Sequence, residues 1–144
     1  MYALIEKSIE IKQAVVQSDP NEKGLRKILN VGHTVGHALE TNDGYQSTHG
    51  EYVLKGIMTE CEMCKDLMDE NFYNRVISIC KRLVSPPRTS SGSIIKCALH
   101  DKKNDGDTIT VMLPVSPGEV VEVRLTKSDF AERYDKAIRD LKRA

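Results

Sequence analysis

His33, His37 and His49 are three of the chain's four histidines, and they fall within seventeen residues. His33 and His37 are four apart; on an α-helix that spacing puts both imidazoles on one face, about one turn apart, where they can converge on a metal ion or an anionic substrate. Arg26, Asn30, His33 and His37 follow intervals of four, three and four, which on a continuous helix is a single stripe. A core-facing stripe is ordinarily apolar. This one offers a guanidinium for bidentate anion binding, an amide that can orient a hydroxyl, and two imidazoles. The alternative is a solvated helix face. Against it stand the four residues together and the neighbouring Gly32 and Gly36, each costing about 1 kcal/mol in a helix relative to alanine. Such glycines point to a ligand or another backbone that must come close.

His49, in Thr48-His49-Gly50-Glu51, follows a turn at Gly44, and either folds back against His33 or is merely exposed. His100 reads as a surface residue. Lys102 and Lys103, beside Gly106 at a helix-to-strand turn, are either ordinary solvated charges or a phosphate clamp.

The elements that must position these residues read mostly as helix. Apolar positions at Leu4, Ile5, Ile9, Ile11, Val15 and Val16 predict a first helix over 2–18, broken by Asp19-Pro20-Asn21. A second is predicted over 23–40, stopping at Asn42-Asp43-Gly44. A third runs over 50–68, a fourth over 71–83 before Pro86-Pro87, and a fifth over 91–100. Residues 108–113 and 120–125 are β-rich and separated by a turn through Pro114 to Gly118, which predicts a hairpin. A last helix over 129–142 carries an early Asp129 and a late Lys142, in keeping with the helix dipole. The fold class is mainly α, with a small β-hairpin near the C-terminus, in one domain over 1–144.

Composition narrows the function classes. The 144 residues, 40% hydrophobic, can bury one core. Twenty-one basic residues balance 21 acidic ones, so no polyelectrolyte attraction drives binding to nucleic acid, and an anion must be held by local geometry. No apolar run nears the roughly 20 residues that span a bilayer, and there is no signal-peptide core. A soluble, cytoplasmic protein without nucleic-acid or membrane partners is expected. Cys61, Cys64, Cys80 and Cys97 do not make a disulfide framework, and the C-x-x-C at Cys61 and Cys64 lies in a helical apolar pattern with no second pair to complete a zinc site. Buried core thiols are the simpler reading, with a redox or zinc role the alternative.

The order Lys12, Val15-Val16, Asp19, Gly24-Leu25-Arg26, Leu29-Asn30, Gly32-His33, Gly36-His37-Ala38, Glu40, then His49-Gly50-Glu51, then Asp101-Lys102-Lys103 closely resembles the C-terminal domain of the 3-dehydroquinate synthases, over most of the chain. The resemblance implies that family's helical fold. It also implies a phosphate-eliminating lyase of the shikimate pathway of aromatic amino acid biosynthesis, one that converts 3-deoxy-arabino-heptulosonate 7-phosphate to 3-dehydroquinate and phosphate with NAD and a divalent metal, usually zinc. Homodimers in the cytoplasm are implied for the full-length form. By the same resemblance His33 and His49 are metal ligands, and His37 meets the substrate near its phosphate. Lys12 and Arg26 hold the substrate carboxylate and nearby oxygens, Asn30 is an active-site amide, and one of Lys102 and Lys103 contacts phosphate.

Departures from the family pattern carry expectations too. The N-terminal NAD-binding domain has no counterpart, and no G-x-G-x-x-G occurs. The family's third metal ligand, a glutamate, belongs to a helix upstream of Tyr2, and neither Glu6 nor Glu10 sits in that motif. The chain is therefore expected to be a C-terminal piece, inactive alone and short of a metal ligand, so that zinc binds weakly. Tyr52 and Leu54 stand where the family has small residues, and are expected to crowd the site. The alternatives are a domain of another sugar phosphate cyclase, which the retained His37 and Lys12 disfavour, and a non-catalytic helical interaction domain.

Overall fold

The computed structural model describes residues 2–99 and 107–143. The chain divides into two compact units, Met1–Asn30 and Val31–Ala144.

In the first unit, α1 (Tyr2–Ser18) is followed by a 3₁₀ segment, Leu25–Asn30. The predicted bounds of α1 hold, because Asp19-Pro20 cannot continue a helix. Its apolar pattern is not a buried face, however: only Val15 is buried, while Tyr2, Leu4, Ile5, Ile9 and Ile11 are exposed. The turn after α1 is organised by Asp19, whose carboxylate accepts the backbone N–H groups of Lys23, Gly24 and Arg26 at 3.0, 2.8 and 3.0 Å. Those bonds, Gly24's foremost, hold its carboxyl below the usual range.

The second unit contains α2 (His33–Asn42), α3 (His49–Met63), a 3₁₀ turn at Lys65–Leu67, α4 (Glu70–Leu83), α5 (Ser91–Leu99), the hairpin β1 (Thr108–Ser116) and β2 (Glu119–Thr126), and α6 (Lys127–Arg143). Its core gathers Val35, Ala38 and Leu39 of α2, Tyr52, Met58 and Cys61 of α3, Ile77 and Cys80 of α4, and Ile94 and Ala98 of α5. Alternate residues Ile109, Val111 and Leu113 face it from β1, as do Phe130, Tyr134, Ala137, Ile138 and Leu141 at helical spacing from α6. The strands pair antiparallel, Val111 opposite Val123. Mainly helical with one hairpin near the C-terminus is thus the observed class, and no described helix is long and apolar enough to cross a membrane.

The structure corrects the predicted second helix. Residues 23–40 are not one helix: the 3₁₀ segment stops at Asn30, and α2 starts only at His33. Between them Gly32 takes the left-handed conformation, φ 75°, which cannot sit inside a right-handed helix and which glycine adopts without a Cβ penalty. The four-three-four stripe of Arg26, Asn30, His33 and His37 therefore does not exist as one helix face. Lys12, Arg26 and Asn30 belong to the first unit, and the histidines to the second.

The third helix also ends earlier than its apolar pattern suggests. Arg133 of α6 donates to the Met63 carbonyl at 2.9 Å and pairs with Asp66 at 3.0 Å, satisfying an orphan C-terminal carbonyl of α3. Asp69 then caps α4 through the Phe72 N–H at 2.8 Å.

The glycines beside the histidines answer to a backbone. α3 crosses α2 so closely that a Cβ at Gly56 would overlap the Gly32 carbonyl oxygen and lie 2.8 Å from the Gly36 nitrogen, while one at Gly36 would lie 3.0 Å from the Tyr52 carbonyl oxygen. Because those obstacles are main chain, Gly56→Ala must push the helices apart, at an expected loss of at least about 3 kcal/mol. Urea unfolding measures it, and a loss under about 1 kcal/mol would contradict the crossing.

Candidate metal centre

His33 is the first residue of α2, His37 lies one turn on, and His49 is the first residue of α3. The loop returning the chain from α2 to α3 is tied down. The Tyr52 hydroxyl donates to Asp43 at 2.6 Å and accepts the Ser47 N–H at 3.0 Å. Thr48 and Glu51 form a reciprocal capping box, the Thr48 N–H donating to the Glu51 carboxylate at 3.0 Å. Backbone bonding to Thr48 holds the Glu51 carboxyl below its usual value. Tyr52 is 1% exposed and serves the core and this loop, and Leu54 packs against the core too.

Held in this way, the rings of His33 and His37 lie 5.1 Å apart between centroids, and His49 lies 5.5 Å from each. One nitrogen of each ring falls within 4.8 Å of one nitrogen of the others. His33 Nδ1 sits 3.0 Å from the Val31 carbonyl oxygen, which only accepts, so Nδ1 carries the proton and Nε2 the lone pair. His49 Nδ1 is 3.1 Å from a carboxylate oxygen of Glu40, which fixes the same tautomer. A remote N–H given to a carbonyl or carboxylate is the arrangement found behind metal-ligating histidines. Three neutral imidazoles suit zinc or cobalt, and His37 and His49 are solvent-exposed, leaving room for a substrate.

Two residues to which the sequence assigns no role support this centre. Glu40 was legible in principle, since on α2 it stands one turn beyond His37. Glu60 is less obvious, a charge in the apolar pattern of α3, 1% exposed, which accepts the Gly32 and Val35 N–H groups at 3.0 and 2.8 Å. Burial pushes its carboxyl up to about 8, opposed by those backbone N–H groups. A carboxyl raised in the folded state contributes stability that is whole below its unfolded pKa and lost as pH rises through about 8. Unfolding midpoints should thus fall between pH 5 and 9, by roughly 4 kcal/mol from this group, and Glu60→Gln should flatten that slope. An equal slope in the variant would assign the effect elsewhere.

Lys12, Arg26 and Asn30 belong to the first unit. Lys12 is an exposed residue of α1, Arg26 donates through Nη1 to the Pro20 carbonyl at 2.8 Å, and the Asn30 amide donates to Glu22 at 2.6 Å. His100, Lys102 and Lys103 lie outside the described residues. The C-x-x-C thiols belong to the core: Cys61 and Cys64 are buried and free. Burial pushes both thiols up, Cys64 to about 11, which disfavours the thiolate that redox or zinc chemistry needs.

The 3-dehydroquinate synthase C-terminal family model matches residues 1–104. The chain belongs to this family. It is 36% identical over 134 residues to the 3-dehydroquinate synthase of Alkaliphilus metalliredigens, an alignment covering 89% of the chain and 38% of that enzyme. With the enzyme of Thermoanaerobacter sp. it shares 39% identity over 129 residues, 84% of the chain and 36% of the relative. It therefore spans little more than a third of the length of these relatives. A 2-deoxy-scyllo-inosose synthase, solved with carbaglucose-6-phosphate, NAD+ and Co2+, superposes with a TM-score of 0.76 over 92% of the chain and 39% of that structure. At 23% identity it shares the fold. The curated relatives are 3-dehydroquinate synthases, and the fold is shared with a 2-deoxy-scyllo-inosose synthase.

Proposed function

We propose that the chain is the metal- and substrate-binding part of a 3-dehydroquinate synthase, acting on 3-deoxy-arabino-heptulosonate 7-phosphate in the cytoplasm, within a homodimeric full-length enzyme. The observation that carries this is the convergence of His33, His37 and His49 on a chain of that family.

His33 and His49, each with its remote nitrogen engaged, would hold a divalent metal, zinc foremost. When bound, that metal supplies Lewis acidity toward the substrate's hydroxyl and carbonyl oxygens. His37 stands at the same centre, where its imidazole can complete the coordination or, with a ligand from elsewhere in the enzyme, turn to the substrate phosphate and donate a proton to the leaving group. Lys12, Arg26 and Asn30 are assigned to the substrate's carboxylate and hydroxyls, and Lys102 or Lys103 to its phosphate; their work is to fix anions in a reactive pose.

NAD does not fit these residues. The described sheet is a two-stranded antiparallel hairpin, with none of the parallel strand–turn–helix that cradles a dinucleotide pyrophosphate. NAD binding belongs in this reading to the remaining two-thirds of the relatives' length.

The test is a hybrid in which these 144 residues replace the matching C-terminal part of the Alkaliphilus metalliredigens enzyme. Phosphate release from the heptulosonate phosphate, lost on His37→Ala, is expected. A hybrid that folds and binds NAD but turns over only another sugar phosphate would favour the wider cyclase family instead.

A further inference from the structure

We propose that Glu60 is a positioning residue for the histidine centre: from α3 it clamps the first turn of α2 and thereby sets where His33 and His37 stand. This rests on the reading of the three histidines as a metal centre.

The argument begins with what α2 lacks. Its N-cap is Gly32, which has no side chain to accept the N–H groups that every helix start leaves unpaired. Those donors point into the interior, where water is excluded and an unpaired N–H is costly. Glu60 takes them from a different helix: one carboxyl oxygen lies 3.0 Å from the Gly32 nitrogen and the other 2.8 Å from the Val35 nitrogen. Both donors flank His33 in sequence, so the clamp grips the backbone on either side of a ligand. His37, one turn on, moves with that turn.

Glu60 reaches this place because Gly56, one turn before it on α3, admits the α2 backbone without a Cβ between them. The same helix begins with His49. One rigid element therefore carries the third imidazole at its start and the clamp for the other two eleven residues later. Burial at 1% exposure keeps the clamp from exchanging its bonds with water. A glutamine would keep the size but set an NH2 group against one of the two N–H donors, which neither a carboxylate nor a carboxylic acid oxygen would do.

The test uses Co2+ alone, followed by its visible absorption, on the 144-residue chain. Glu60→Gln is expected to keep its helical content and weaken Co2+ binding at least tenfold, the scale of losing a group that orients a ligating histidine. Glu60→Asp should restore part of it. The control is Glu62→Gln, two residues along α3, where the carboxylate instead bonds Tyr73 and Lys65; it should lose stability without losing Co2+ affinity. Parental affinity in a folded Glu60→Gln, or equal weakening in Glu62→Gln, overturns the positioning role alone. No Co2+ binding by the parent chain overturns the metal centre as well. Should Glu60→Gln not fold, amide exchange of the parent decides: Gly32 and Val35 N–H groups exchanging as fast as unprotected loop amides would overturn the clamp, and slow exchange of both supports it.

Discussion

Given the heptulosonate phosphate, NAD and zinc, the 144 residues alone are expected to release phosphate no faster than a blank without enzyme. The family resemblance implies NAD for the full-length enzyme, and the described residues offer no dinucleotide cradle, only a helical core and an antiparallel hairpin. Histidines and cations can hold and polarise the substrate, but they cannot accept a hydride. The coverage agrees, since the chain accounts for 38% of the Alkaliphilus metalliredigens enzyme. Relative to an intact enzyme the expected loss is at least about 10⁶-fold, the lower end of enzymatic rate enhancement. A phosphate assay over hours suffices, and release well above the blank would sink the idea that hydride chemistry lies elsewhere.

Zinc is the second large effect. The resemblance assigns two histidine ligands, His33 and His49, which by themselves predict weak binding. The tertiary structure adds His37 to the same centre, and three imidazoles are the count of a catalytic zinc site. We therefore expect one-to-one binding with a dissociation constant below about 10 μM, roughly 7 kcal/mol. His33→Ala should weaken it by more than about 100-fold, and Glu40→Ala by about tenfold, as an outer-shell loss. Calorimetric titration separates the cases. If His37→Ala binds as the parent does, that imidazole is no ligand and is left for the substrate. If the parent does not bind at all, the three rings do not form a metal centre in this chain.

Much of this protein can be read from the sequence, because its signals are local. Asp19-Pro20 must end α1, Asn42-Asp43-Gly44 must end α2, and alternation at Ile109, Val111 and Leu113 marks a strand with one buried face. The histidine spacing and the Gly32-His33 and His49-Gly50-Glu51 motifs likewise announce the family.

The tertiary structure alone decided the rest. Gly32 turns left-handed and splits the predicted helix because a partner twenty-eight residues away, Glu60, accepts its N–H, and no window of helical periodicity contains that partner. The end of α3 depends on Arg133, seventy residues on. His49 meets His33 because Tyr52 and Asp43 hold the loop between them, where the sequence leaves it equally able to face solvent. The two glycines announced a close approach, but only the crossing of α3 over α2 showed that the approaching group is backbone. Periodicity and turn chemistry act over a few residues, whereas a buried polar group must find its partner wherever the fold brings one.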